Sequence, residues 1–125
     1  MEPKKTEIKM PRTFFGNTGM VVPRIALGTM GFKDLSKLDF YYEIFKKAYD
    51  NGCNFIDTAE MYGTNGSCEI LTGKMIKKLG ANREDLIITM KLFFGIDHKE
   101  KMAHNSLGLS RKHIIEGARS SLKRL

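Results

Sequence analysis

Three short apolar segments, each followed by a loop and then by a helical pattern, constrain this chain more than any other feature. Ile25-Ala26-Leu27, closed by Gly28-Thr29, is the first. Phe55-Ile56, ending in Asp57, is the second, and Leu86-Ile-Ile-Thr-Met90, ending in Lys91, is the third. Such continuous apolar runs, with little alternation, are what a strand covered on both faces requires. The helical patterns between them have their own punctuation. Ser36-Lys-Leu-Asp39 reads as a capping box ahead of a stripe of Tyr41, Ile44, Phe45 and Ala48, with Gly52 as the stop. Ser67 can cap a second helix with an inward stripe of Cys68, Leu71, Met75, Ile76 and Leu79, stopped at Gly80. Ser110 can cap a third, with apolar Ile114, Ile115, Ala118, Leu122 and Leu125 at helical spacing.

The strand ends Thr29, Asp57 and Lys91 lie 28 and 34 residues apart. Alternation at that spacing predicts parallel βαβ units, in either a doubly wound sheet or a (β/α)8 barrel. Neither G-x-G-x-x-G nor G-x-x-x-x-G-K-[ST] joins a strand to a helix, so the phosphate loops of the common nucleotide folds are missing and the barrel is the preferred reading. Ahead of the first unit, Arg12 to Pro23 reads as a β-hairpin turning on Gly16-Asn17-Thr18-Gly19. Residues 1-10 read as a polar leader.

Composition narrows the setting. With 42% hydrophobic and 28% charged residues the chain is neither disordered nor membrane-spanning, since no apolar run approaches the ~20 residues a span needs. Two cysteines without metal-ligand spacing, and no apolar segment after the charged start, point to a reduced, cytoplasmic setting. The net charge of +7 comes from scattered pairs such as Lys46-Lys47 and Lys77-Lys78, which suit solvated helix faces better than a nucleic-acid surface. Leu92 to Leu109 is long and polar enough to be either a substrate-side loop or disordered. It holds His98 and His104, but with Asp97 they lack the fixed geometry of a metal site.

In parallel α/β folds reactive groups gather at the carboxyl ends of the strands. Thr29, Asp57 and Lys91 would share that rim, and Tyr62 lies in the glycine-rich loop just beyond Asp57. Taken singly, each has an ordinary structural explanation as turn, cap, solvated cation or packed aromatic. Taken together they form an acid–base set. A phenol of ordinary pKa ~10 is a poor proton donor near neutrality unless an ammonium favours its phenolate, and an aspartate would keep that ammonium charged and aimed.

Asp57-Thr-Ala-Glu-Met-Tyr62, with Lys91 at the end of the third strand, resembles the aldo-keto reductases, as do the Gly16-to-Pro23 hairpin and Leu27-Gly28-Thr29. Ala48 to Asp57, and above all Gly108-Leu-Ser-Arg-Lys-His-Ile-Ile-Glu-Gly117, are most similar to that family's voltage-gated potassium channel β-subunit branch. The resemblance runs from about Pro11 to Leu125. It implies an NADPH-dependent oxidoreductase on a (β/α)8 TIM barrel, reducing an aldehyde or ketone. Catalytic roles would fall to Tyr62 as proton donor, Lys91 as the group that lowers its pKa, and Asp57 as the orienting carboxylate. Thr29, Met30 and Asp57 would contact the cofactor. The branch adds the cytoplasmic domain of a potassium channel as a partner and a homotetramer for a full-length chain, with no nucleic acid and no insertion into a membrane.

The sequence departs from the branch where tryptophan usually stands, with Met30 and Phe94 in its place. A (β/α)8 barrel takes ~250 residues, so 11-125 is read as a partial domain: the hairpin and about three βα units, truncated at the third helix. The family's fourth catalytic position, His or Asn, is expected beyond Leu125, and with it most of the cofactor grip. The polypeptide alone is accordingly expected to be an inactive fragment.

Overall fold

The computed structural model describes residues 10–96 and 103–125. The Leu92-to-Leu109 segment is therefore described only at its two ends; Asp97, His98 and nearly all of the polar leader lie outside the described residues. The fold opens with an antiparallel hairpin of β1 (Arg12–Phe14) and β2 (Val21–Pro23). Gly16 and Gly19 take φ of +55° and +78°, and Thr18 closes the turn by donating its hydroxyl to the Phe15 carbonyl at 2.6 Å. The hairpin expected from those glycines is present.

Three parallel strands follow in chain order, β3 (Leu27–Gly28), β4 (Phe55–Asp57) and β5 (Ile87–Thr89). Between and after them come α1 (Leu38–Asp50), α2 (Ser67–Leu79) and α3 (Arg111–Arg124). None of the described helices is long and apolar enough to cross a membrane. The register explains the core. Leu27, Ile56 and Ile88 are lateral neighbours across the sheet, and this row packs with Tyr41 and Phe45 of α1 and Cys68, Leu71, Met75 and Ile76 of α2. Side chains alternate between faces along a strand, so the next row, Gly28, Asp57 and Thr89, belongs to the opposite face. The polar site is built from that row.

Some expectations are corrected. The run Ile25-Ala26-Leu27 is not a buried strand: only Leu27–Gly28 pair, along one side, and Ile25 is 62% exposed at the sheet edge. β5 is half-buried at all three residues rather than covered on both faces. Ser36 does not cap α1. Asp34 instead caps a 3-10 turn at Leu35–Lys37 by accepting the Ser36 N–H, and Asp39 pairs with Lys78 of α2. Ser67 is already inside α2, its hydroxyl donated to the Lys33 carbonyl, while left-handed Gly66 stands at the cap position.

The third helix departs most. Ser110 caps it as expected, accepting the His113 N–H at 3.1 Å. Its buried residues, however, are His113, Gly117 and Ser121, while Ile114 and Leu122 of the apolar stripe are exposed. Small residues and a polar pair let α3 approach α2. Gly73 of α2 lies so close to the end of α3 that a Cβ there would sit 2.2 Å from the Arg124 carbonyl oxygen.

Candidate active site

The site begins with the carboxylate at the end of β4. Thr89 is the cross-strand partner of Asp57, and its hydroxyl donates to Asp57 Oδ1 at 2.8 Å. Two residues further, beyond the last paired residue of β5, Lys91 donates from Nζ to Asp57 Oδ2 and to the Thr58 carbonyl, each at 2.7 Å. The Glu60 N–H donates to the Lys91 carbonyl at 3.1 Å, so the strand ends remain tied together past the ladder. Burial would push the Asp57 carboxyl up, but hydrogen bonds from Lys91 and Thr89 outweigh it and hold the group below its ordinary value. Burial would likewise lower the Lys91 ammonium; the bond to Asp57, with Tyr62 adding to it, raises it instead.

Tyr62 reaches the pair through a tight turn. Its N–H donates to the Ala59 carbonyl, and its own carbonyl accepts from Cys68 at the start of α2. Its ring lies half-buried, with Lys91 Nζ 5.0 Å from the ring centre. The three side chains that sequence reasoning grouped therefore meet. Thr29 joins them through the backbone: its N–H and hydroxyl both donate to the Asp57 carbonyl, at 3.0 and 3.1 Å, and its side chain is fully buried. Met30, next in the chain, is 58% exposed.

Beside the pair is an open cavity of about 380 Å³ lined mainly by Met61, Tyr62, Lys91, Leu92, Phe93 and Phe94. Its lining is mostly apolar, and the polar side chains among the lining residues are the Lys91 ammonium, the Tyr62 phenol and the buried Glu60 carboxylate.

Two groups were not singled out in the sequence. Thr89 could have been, because it stands two residues before Lys91 on the same strand face. The other is the buried pair of Glu60 and His113, whose side chains are 3% and 5% exposed and whose Oε2 and Nε2 lie 3.2 Å apart. Glu60 had been visible only as a variable position inside the Asp57-to-Tyr62 motif, and His113 only as a first-turn helix residue. Their meeting joins residues far apart in the chain and left no local signal.

Comparisons with known proteins bear on the fold and the family. Residues 24–125 match the model of the aldo/keto reductase family. A Schizosaccharomyces pombe protein described as a candidate voltage-gated potassium channel β-subunit is 44% identical over 119 residues, which is 93% of this chain and 33% of that protein. A thermostable aldo-keto reductase solved with the inhibitor epalrestat superposes with a TM-score of 0.72 at 33% identity, covering 92% of this chain and 38% of that one. A candidate aldo-keto reductase from Pseudomonas aeruginosa gives a TM-score of 0.71 at 27% identity, covering 91% and 42%. The chain thus spans about a third of the length of the curated relative it matches. With its three parallel βα units in the arrangement of those TIM-barrel reductases, this chain belongs to the aldo/keto reductase family.

Proposed function

We propose that the chain carries the proton-donating half of an NADPH-dependent carbonyl reductase site, with Tyr62 as the acid. The observation that carries this reading is the Lys91 ammonium, bonded to Asp57 and 5.0 Å from the centre of the Tyr62 ring at the mouth of an apolar cavity. Asp57 suits the nicotinamide ribose, since its side chain remains 39% exposed despite two hydrogen bonds and a carboxylate readily accepts from sugar hydroxyls. Met30, an exposed apolar side chain at the end of β3, suits the face of a nicotinamide ring. NADPH, when bound, supplies the hydride.

The remaining steps belong to the protein. The Tyr62 hydroxyl would give its proton to the oxygen of an aldehyde or ketone in the cavity, and the phenolate left on Tyr62 would regain a proton from solvent. Lys91 favours that phenolate by charge, and Asp57 keeps Lys91 from turning away.

The test is NADPH oxidation with 4-nitrobenzaldehyde by a full-length protein that carries this chain, with Tyr62 and with Tyr62→Phe. The phenylalanine variant should lose at least ~10²-fold in rate, the low end of general acid catalysis. Equal rates in the two full-length proteins would overturn the reading.

A second reading rests on the 44% identity to the relative described as a candidate channel β-subunit. The chain would then contribute to a tetrameric subunit docked on a potassium channel's cytoplasmic domain. A pull-down with such a domain tests it, and no retention above a bead control would count against it.

A further inference from the structure

Glu60, His113, Gly108 and Phe93 close a ring of hydrogen bonds. The Phe93 N–H donates to Glu60 Oε1 at 3.0 Å, and Glu60 Oε2 lies 3.2 Å from His113 Nε2. His113 Nδ1 is 2.6 Å from the Gly108 carbonyl oxygen, and the Gly108 N–H donates to the Phe93 carbonyl at 2.7 Å. The proton inventory is fixed by chemistry. A carbonyl oxygen only accepts, so Nδ1 carries a hydrogen, and one further proton must lie between Nε2 and Oε2. Imidazolium with carboxylate, and neutral imidazole with carboxylic acid, both satisfy this with no net charge.

The ring holds a backbone that would not hold itself. Phe93 has φ of +155°, which L side chains rarely adopt and which persists only where the surroundings over-determine it. Both of its backbone polar groups are bonds of the ring. Glu60 Oε1 also accepts the Gly95 N–H at 3.0 Å, gathering the turn on which Phe93 and Phe94 stack edge to face, 4.9 Å between centres. Gly117 permits the approach, since a Cβ there would lie 2.7 Å from the Leu92 side chain and 3.3 Å from Glu60 Oε2.

We infer that Glu60 is a positioning residue of the cavity, held by His113, which fixes Phe93 and Phe94 in the same wall as Tyr62 and Lys91. Gly108, Ser110, His113 and Gly117, all within the segment from Gly108 to Gly117, serve this support. Only the consequence for substrate rests on the reductase reading.

Hydrogen exchange of the intact chain tests the positioning directly, without turnover. In Glu60→Ala and His113→Ala the amides of Phe93, Gly95 and Gly108 should exchange at least ~10-fold faster, while those of Thr58 and Ile87, in the β4–β5 pairing, stay within ~2-fold. Glu60→Gln should restore the slow rates: its carbonyl oxygen still accepts both N–H groups and its amide can donate to a neutral His113. If the alanine variants do not fold, His113→Gln should give the same selective acceleration, because its side chain cannot reach Glu60 and the Gly108 carbonyl together. Uniform acceleration, none at the three amides, or a Glu60→Gln as fast as Glu60→Ala would overturn the proposal. In a full-length protein that carries this chain, with NADPH and 4-nitrobenzaldehyde, Glu60→Ala should raise KM ~10-fold with kcat within ~3-fold; slow amides without turnover there fail the reductase reading and leave the clamp standing.

Discussion

Thr89 fixes the rotamer of Asp57: its hydroxyl holds Oδ1 at 2.8 Å across the β4–β5 pair and leaves Oδ2 aimed at Lys91. The order of events is local. Strand register puts threonine opposite aspartate, the hydroxyl chooses the carboxylate's orientation, and the orientation places the ammonium beside Tyr62. Thr89→Val keeps the shape and removes the bond, so it should cost about 1 kcal/mol, the net worth of one such bond. It should also move the Asp57 carboxyl upward, because one of the bonds favouring its charged form is gone. Carbon-detected NMR titration of Asp57 in both proteins reads the shift, and an unmoved or lowered Asp57 would show that Lys91 alone sets its charge.

The Asp57–Lys91 pair gives the fold a defined pH window. The carboxyl is lowered in the folded chain, so its contribution is present above the ordinary carboxylate range and lost as pH falls through the folded value. The ammonium is raised, so its contribution is present below about pH 10 and lost as pH rises through its folded value. Both side chains are more than a third exposed, which limits the pair to at most about 1 kcal/mol after solvent screening. Urea midpoints of the parent and Asp57→Asn should therefore differ most near neutrality, converge below about pH 4, and converge with added salt at pH 7. A gap that stays constant down to pH 3 would contradict the assignment.

The second and third strand positions, the hairpin, the glycine stop of α2 and the Ser110 cap were legible in the sequence, because each depends on neighbours within a few residues. The Asp57, Tyr62 and Lys91 set was legible for a related reason: parallel strands bring their carboxyl ends to one rim whatever lies between. What was not legible depends on tertiary choice. The apolar stripe of α3 pointed to Ile114 and Leu122, yet the buried face is His113, Gly117 and Ser121, since it is decided by close approach and by partners far away in the chain, Glu60 and Leu92 among them. Asp34 displaced Ser36 as a cap because a 3-10 turn precedes α1, a shift of two residues that spacing alone does not resolve.

Gly73 sets up a contest between helix propensity and packing. Within α2, alanine in place of glycine should gain up to about 1 kcal/mol from backbone entropy. The new Cβ would meet backbone, 2.2 Å from the Arg124 carbonyl oxygen and 3.1 Å from the Leu125 Cα, and α3 would have to move away. Overpacking of this kind costs about 1–3 kcal/mol. Packing should win. Gly73→Ala is expected to be less stable in urea than the parent by about 1–2 kcal/mol. A stabilised variant would mean that the end of α3 is not held against α2 in solution.

Arg124 and Glu69 fasten the same two helices by charge. Glu69 is fully buried, and its Oε2 accepts from Arg124 Nε at 2.7 Å, with Nη2 also 2.7 Å away. Arg124 in turn donates from Nη2 to Ser121 and from Nη1 to Ser120, so the guanidinium is held by its own helix before it meets the carboxylate. Removing the arginine strands a desolvated anion, which typically costs 3–5 kcal/mol, about what a buried pair loses when one partner goes. Arg124→Ala should therefore unfold at much lower urea than the parent, and Arg124→Lys should recover only part of the loss, because a single ammonium cannot reproduce the two-nitrogen contact. The double variant Glu69→Gln with Arg124→Ala separates the two causes. If stranded charge dominates, the double variant is more stable than Arg124→Ala alone; if lost packing of the arginine stem dominates, the two unfold together.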